Sequence, residues 1–299
     1  MWSDCAAGCR PILSCQLGPS HWPIIRLVLL QDIQTGLALR PHWGRHHGPH
    51  AVSEQKLALQ AIPHLPKQSV VICDRNFGVF VIPGRPLSKV ILHWCGSRAS
   101  APEALAGGPL TVPSEHRICW RHSRFDRVGG PFPQNASVSG RLVCICADDA
   151  SHEELIYFFT TLAAPGDSLR DLYRLRWNVE TDLSSIKQTV RLQQISARSV
   201  AVLEKELLLA LAAYNLVRAV ICLAAEKARV APRRLSFTNV YTLVETFLPE
   251  LNAARTPKQW EAAWQRVISI ATDYVLPNRS KPRSYPRASW RKASRNSRT

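Results

Sequence analysis

The sequence predicts a mixed α/β protein that opens strand–strand–helix–strand, continues through a β-rich insert and closes in long helices. Short β-branched runs bounded by turn residues occupy 22–40 and 70–73, the pattern of buried or half-buried strands. Alternating runs punctuated by Pro and Gly fill 116–148, again β-type chemistry. Beyond Pro165 and Gly166 the apolar spacing becomes helical and stays so to about residue 230.

The first sixteen residues, "MWSDCAAGCRPILSCQ", lack a charged start followed by an apolar core, so they do not read as a secretory signal. "WPIIRLVLLQDIQTGLALR" reads as two strands joined by a turn at Asp32 to Gly36, with Asp32 a turn residue. "SEQKLALQAIPHL" begins with a serine cap and is limited by Pro63. Val70 to Cys73 reads as a buried strand that ends abruptly in Asp74 and Arg75. Polar groups at the carboxyl end of a strand are where sites in α/β sheets lie. Residues 81–115 read as irregular, with Pro83, Pro86, Pro102, Gly107, Gly108 and Pro113. "LIYFFTTLA", residues 155–163, is a further strand.

The longest apolar run, Leu207 to Ala225, approaches the length of a membrane span. It contains Asn215 and Arg218, both costly in lipid, so it reads as a core helix. A later helix carries Trp260 and Trp264 at i, i+4, and the final stretch "NRSKPRSYPRASWRKASRNSRT" has eight Lys/Arg and no acid, an extended arm.

Lys and Arg outnumber Asp and Glu by 38 to 22, for a net charge of +16. Such an excess points to a polyanionic partner, most simply nucleic acid, rather than a neutral metabolite. The nine cysteines are odd in number and form no CxxC pair, which fits a reduced cytoplasmic protein better than a disulfide framework. Cys5, Cys9 and Cys15 near His21 match no standard zinc module. His42, His46, His47 and His50 read as a basic loop rather than a metal centre.

"YRLRWNVETDLSSIK", Tyr173 to Lys187, follows a Pro-Gly turn with Asp167 or Ser168 as the expected cap. At about 100° per residue, Arg176, Glu180 and Lys187 fall about 60°, 20° and 40° from Tyr173 on one side. Leu172, Leu175, Val179, Leu183, Ile186 and Val190 form a separate apolar stripe, and Asp182 falls opposite the polar one. The polar stripe therefore borders the buried one, where a helix presents groups into a cleft; a solvated face with an i, i+4 Arg176–Glu180 pair is the structural alternative.

The spacing Y-x2-R-x3-E-x6-K, with its "RW" context, resembles the signature of insertion-sequence transposases of the DDE class, specifically the insertion-sequence-four family. "VLLQDIQTGLALRPHWG", "SEQKLA", "VVICDRNFG", the β-rich insert, "FFTTL" and "EKELLLALAAYNLVRA" follow in the family's order, over roughly residues 20 to 290. The resemblance implies a ribonuclease-H-like core interrupted by a β insertion. It divides the chain into 1–95 (first part of the core), 96–154 (insertion), 155–235 (second part, with the signature helix) and 236–299 (C-terminal helices and basic tail).

It also implies metal-dependent cleavage and strand transfer at the terminal inverted repeats of double-stranded DNA, by a homodimer in a synaptic complex. Asp74 and Glu180 match the second and third acidic residues, implied as catalytic and as ligands of Mg2+ or Mn2+. Tyr173, Arg176 and Lys187 match the DNA-contacting positions. The first acidic residue departs from the pattern. The upstream acid, Asp4 in "WSDCAAGCR", lacks the following glycine and small hydroxyl residue, and its segment does not resemble the family's first strand. Either the first aspartate is missing or Asp4 substitutes for it. With "VIPGRPLSKVILHWCGSRASAPEALAGG" standing where the family has an amphipathic helix, the expectation is a 5′-truncated gene copy, with an inactive, DNA-binding remnant as the alternative reading.

Overall fold

The structure, a computed structural model, describes residues 2–6, 24–66, 69–73, 75–78, 80, 82, 89–94, 106–108, 110–121, 136–148, 151–192, 197 and 199–278. The architecture is mixed α/β. One antiparallel sheet joins β1 (Trp2–Ala6), β2 (Ile24–Val28) and β3 (His42–Arg45) in sequence order. A five-stranded sheet runs β4 (Val70–Cys73), β5 (Lys89–Trp94), β8 (Ser151–Thr160), β7 (Ser137–Asp148), β6 (Ser114–Arg121). β4 and β5 are parallel, and the remaining neighbours are antiparallel.

The turn at Asp32 forms as its sequence predicts. Asp32 Oδ1 accepts from both the amide and the hydroxyl of Thr35 at 2.6 Å, and Gly36 closes the turn at φ +78°. Burial works against ionisation of Asp32, but these hydrogen bonds and Arg233 outweigh it and hold the carboxyl below its ordinary range. The returning strand pairs later than expected, at 42–45 rather than 37–40; between them the ladder is reduced to one bridge, Gln31 with Ala38. Ser53 caps α1 (Glu54–Ala61) by accepting from the Lys56 amide, and Pro63 confines the next turn to a 3₁₀ helix.

Four expectations are corrected. "WSDCA" is a strand: Asp4 sits at the centre of β1, paired in register with Arg26 of β2. "KVILHW" lies in the region expected to be irregular but forms β5 between β4 and β8, because long-range pairing overrides its proline-rich surroundings. β4 is an edge strand, with Val70 exposed and Val71 buried, and not a fully buried one. Neither Asp167 nor Ser168 caps the helix that begins at Gly166; Pro165 holds that position without a side-chain bond, and Asp167 pairs with Arg170 in the first turn.

The helical half comprises α2 (Gly166–Arg174), α3 (Trp177–Ser184), α4 (Val200–Ala228), α5 (Phe237–Ala253) and α6 (Pro257–Ala271). By length and composition α4 could cross a membrane. Its buried face instead forms the middle of the main core, with Leu207, Tyr214, Val217, Ile221 and Ala224 packed against Val240, Val267 and Ala271. Trp260 and Trp264 stack on α6 at 5.4 Å. The basic arm lies outside the described residues.

A buried polar network joins this core to the first sheet. Asp182 is fully buried, and its Oδ1 accepts from Arg218 and, at 2.6 Å, from Arg233. Arg218 Nε donates to the Tyr214 hydroxyl, which donates to the Gly36 carbonyl at 2.8 Å. Asn215 bonds both the amide and the carbonyl of Ala38, at 2.9 and 2.8 Å. Arg233 reaches the Ile33 carbonyl at 3.0 Å. A Cβ on Gly36 would meet Arg218 Nε at 2.7 Å, so this position needs glycine for space as well as for its positive φ. Burial, the first cause, pushes the Tyr214 hydroxyl well above its ordinary pKa and keeps it a neutral donor.

Two outcomes follow from this packing. Asp182→Ala leaves the buried Arg218 and the partly exposed Arg233 without their carboxylate and is expected to lower stability by about 3–5 kcal/mol in urea unfolding. Burial, and then the charges of His64 and Arg40, depress the pKa of His42 below its ordinary 6.5. The unfolded chain then binds more protons in that window. Stability is thus full above about pH 6.5 and falls as the pH drops through the folded value; His42→Gln should flatten this slope in urea midpoints measured from about pH 7.5 to about 5.

Candidate functional site

The signature segment does not lie on one uninterrupted α-helix. Between α2 and α3 the amides of Leu175, Arg176, Asn178 and Val179 each bond the carbonyl three residues back, which is 3₁₀ winding at about 3.0 residues per turn. At the other end, Ser185–Thr189 is a π turn closed by the Val190 amide on the Ser185 carbonyl at 3.0 Å. The first change overwinds the helix and the second underwinds it. Leu175 consequently leaves the apolar stripe and is 40% exposed, while Leu183 and Ile186 remain buried. π turns inside helices recur at functional sites.

Three of the four signature residues are in contact. The Arg176 guanidinium lies 5.5 Å from the Tyr173 ring centroid and pairs with Glu180 Oε1 at 3.1 Å. It lies equally close to Trp177, whose indole is 51% exposed. Tyr173 packs on Phe158 of β8 at 5.2 Å, which ties the segment to the five-stranded sheet. Arg176 Nε is buried without a hydrogen-bond partner. Lys187 is partly exposed on the π turn and forms no ion pair among the described residues. Asp182 lies opposite the polar stripe, as its phase predicts, in the buried network.

A cavity of about 60 Å³ joins this segment to both sheets. Its walls include Leu29 and Leu30 beyond β2, Cys73 at the end of β4, and Arg176 and Val179. Cys73 directly precedes Asp74, and Val179 directly precedes Glu180. Asp74 itself lies outside the described residues, as do the side chains of Asp4 and Cys5, and Cys9, Cys15 and His21.

Glu180 suits a hard divalent cation. Its side chain is 39% exposed, and among the described residues only Oε1 is engaged, by Arg176. Among the described residues no three His, Cys, Asp or Glu side chains cluster closely enough to hold a metal. The histidine loop is no exception: His46 and His47 bond each other at 2.8 Å, and His42 stacks on His64.

The cavity is lined mainly by apolar side chains of both sheets and the helix α1, and Arg176 is the charged group on its wall. The chain belongs to the transposase DDE domain family, whose family model matches residues 18–216. It is 25% identical over 278 residues to the transposase InsG for insertion sequence element IS4 of Escherichia coli (strain K12). That alignment covers 90% of this chain, and the chain spans 60% of the length of that relative.

The geometry separates a structural role of Glu180 from a chemical one. Its ion pair with Arg176 is partly solvated, and such pairs contribute about 0.2–1 kcal/mol. Glu180→Gln should therefore leave the urea midpoint nearly unchanged, in contrast to substitution of Asp182 two residues away.

Proposed function

We propose that this chain is a metal-dependent DNA transposase that cleaves and joins DNA at insertion-sequence ends, on a ribonuclease-H-like core. The observation that carries the reading is the shared cavity, which is lined both by Cys73, the neighbour of Asp74, and by Val179, the neighbour of Glu180. The core would comprise 1–95 and 155–235, with 96–154 inserted and 236–299 as C-terminal helices and basic tail. Asp74 and Glu180 are the carboxylates that would hold Mg2+ or Mn2+. Bound there, a divalent cation supplies Lewis-acid stabilisation of phosphoryl oxygens and lowers the pKa of an attacking water. Asp4, at the centre of β1, is the candidate third carboxylate.

The remaining residues position DNA. Arg176, held by Glu180 and flanked by Tyr173 and Trp177, offers its guanidinium face and edge to a phosphate. Lys187 adds a point charge about three turns further along, and Tyr173 a hydroxyl. The net charge of +16 supplies sequence-independent attraction that weakens with salt. The setting is the bacterial cytoplasm, at the nucleoid, and the active form is a homodimer that pairs two inverted repeats.

One observation favours the second reading, an inactive remnant that retains DNA binding: Asp4 is followed by Cys5 and Ala6, not by glycine and a small hydroxyl residue. The test is a duplex carrying the ends that flank its own gene, incubated with Mg2+ or Mn2+. The expected result is cleavage and joining that Asp74→Asn or Glu180→Gln abolishes while DNA binding persists. Arg176→Ala and Lys187→Ala should weaken binding and lower its salt dependence. Binding without cleavage in either metal selects the remnant; neither binding nor cleavage overturns both readings.

A further inference from the structure

α4 has two unlike faces. One is buried in the main core; the other is apolar yet open, with Leu209 69% exposed, Leu216 44%, Val202 42% and Leu223 42%. These four recur every seven residues, and Lys205, Ala212, Ala219 and Glu226 each stand three residues further on. That 3–4 alternation is the seam of a coiled coil. Between Glu206 and Glu226 the helix carries one charged residue, Arg218, which is buried on the other face against Asp182. On a chain of net charge +16, this open face is uncharged over its middle and cannot grip a phosphate backbone.

We infer that this face of α4 takes a second copy of the chain, with the two helices antiparallel. The charges at the ends of the seam choose the direction. Parallel pairing sets Lys205 against Lys205 and Glu226 against Glu226. Antiparallel pairing brings Lys205 within one turn of Glu226 of the second copy, twice per dimer. The sizes along the seam fit the same arrangement. With Leu209 across from Ala219 and Leu216 across from Ala212, the large side chains at the middle of the seam meet small ones, and towards its ends Lys205 faces Leu223 and Glu226 faces Val202. The axes can then approach to the close end of the roughly 8–10 Å range for packed helices. The contact is self-complementary, as a two-fold interface requires, and runs about 36 Å from Val202 to Glu226 at about 1.5 Å per residue.

This names the surface of the homodimer proposed above. It rests on packing and not on the carboxylates, so loss of cleavage and loss of self-association are read separately. Sedimentation velocity of the full chain without DNA, over a concentration series, is the test. The wild type is expected to dimerise. Leu209→Glu with Leu216→Glu should weaken the dimer about tenfold or more with an unchanged far-ultraviolet circular dichroism spectrum, because both residues are exposed. Lys205→Glu alone should weaken it, and Lys205→Glu combined with Glu226→Lys should restore it. A wild type that stays monomeric, a dimer indifferent to the leucine changes, or charge reversals without effect overturns the inference. So does a monomer that cosediments with phosphatidylcholine vesicles through the same leucines, which would make the face a lipid surface.

Discussion

The carboxylate of Asp182 is the contact on which the helical half depends. It sits at zero exposure between Arg218 of α4 and Arg233 beyond it, and through Arg218 and Tyr214 it reaches the carbonyl of Gly36 in the first hairpin. Taking Asp182 and Arg218 out of water, with Arg233 partly so, is expensive, and only complementary geometry offsets it. The arrangement therefore tolerates few alternatives: it fixes the rotation of α3, the axial position of α4 and the placement of the Asp32–Gly36 turn together. The two hydrogen bonds of Asn215 to Ala38 lock the same junction.

That junction has a consequence for the site. Asp182 and Glu180 stand two residues apart, on different sides of one short helix. Anchoring the first in the core leaves the second partly exposed and paired with Arg176, which lines the cavity that Cys73 also borders. The 3₁₀ turn before α3 and the π turn after it absorb the mismatch between a rigidly anchored segment and the flanking helices. Irregular winding of this kind is maintained where the surroundings over-determine it, and functional sites are the usual place. Arg176 is half enclosed by two aromatic rings and held by Glu180, so its guanidinium is fixed in place beside the cavity.

Local chemistry was the legible part of the sequence. The Asp32 turn, the Ser53 cap, the Pro63 stop and the strands at 114–121, 137–148 and 151–160 follow from turn residues, capping and alternation. Contact between Tyr173, Arg176 and Glu180 was legible from spacing alone, because i, i+3 and i, i+4 neighbours meet under either helical winding. What was not legible depends on distant residues. β5 forms only because β4 and β8 flank it, and β1 only because β2 supplies its register. The partners of Asp182 lie 36 and 51 residues away, so an acid predicted merely to fall opposite the polar stripe proved to be the hub of the core. Leu175 misled because an ideal helical wheel cannot register a tightened turn.

The proposed chemistry requires that the end of β4 and the Glu180 turn share one metal-binding site. A crystal of the intact chain soaked in Mn2+, with anomalous scattering used to find the metal, tests it most directly. The expected result is a peak between the carboxylates of Asp74 and Glu180, near the cavity that Arg176 borders, and the same map would show whether Asp4 is a third ligand. Manganese bound elsewhere, or Asp74 and Glu180 too far apart to share an ion, would contradict it.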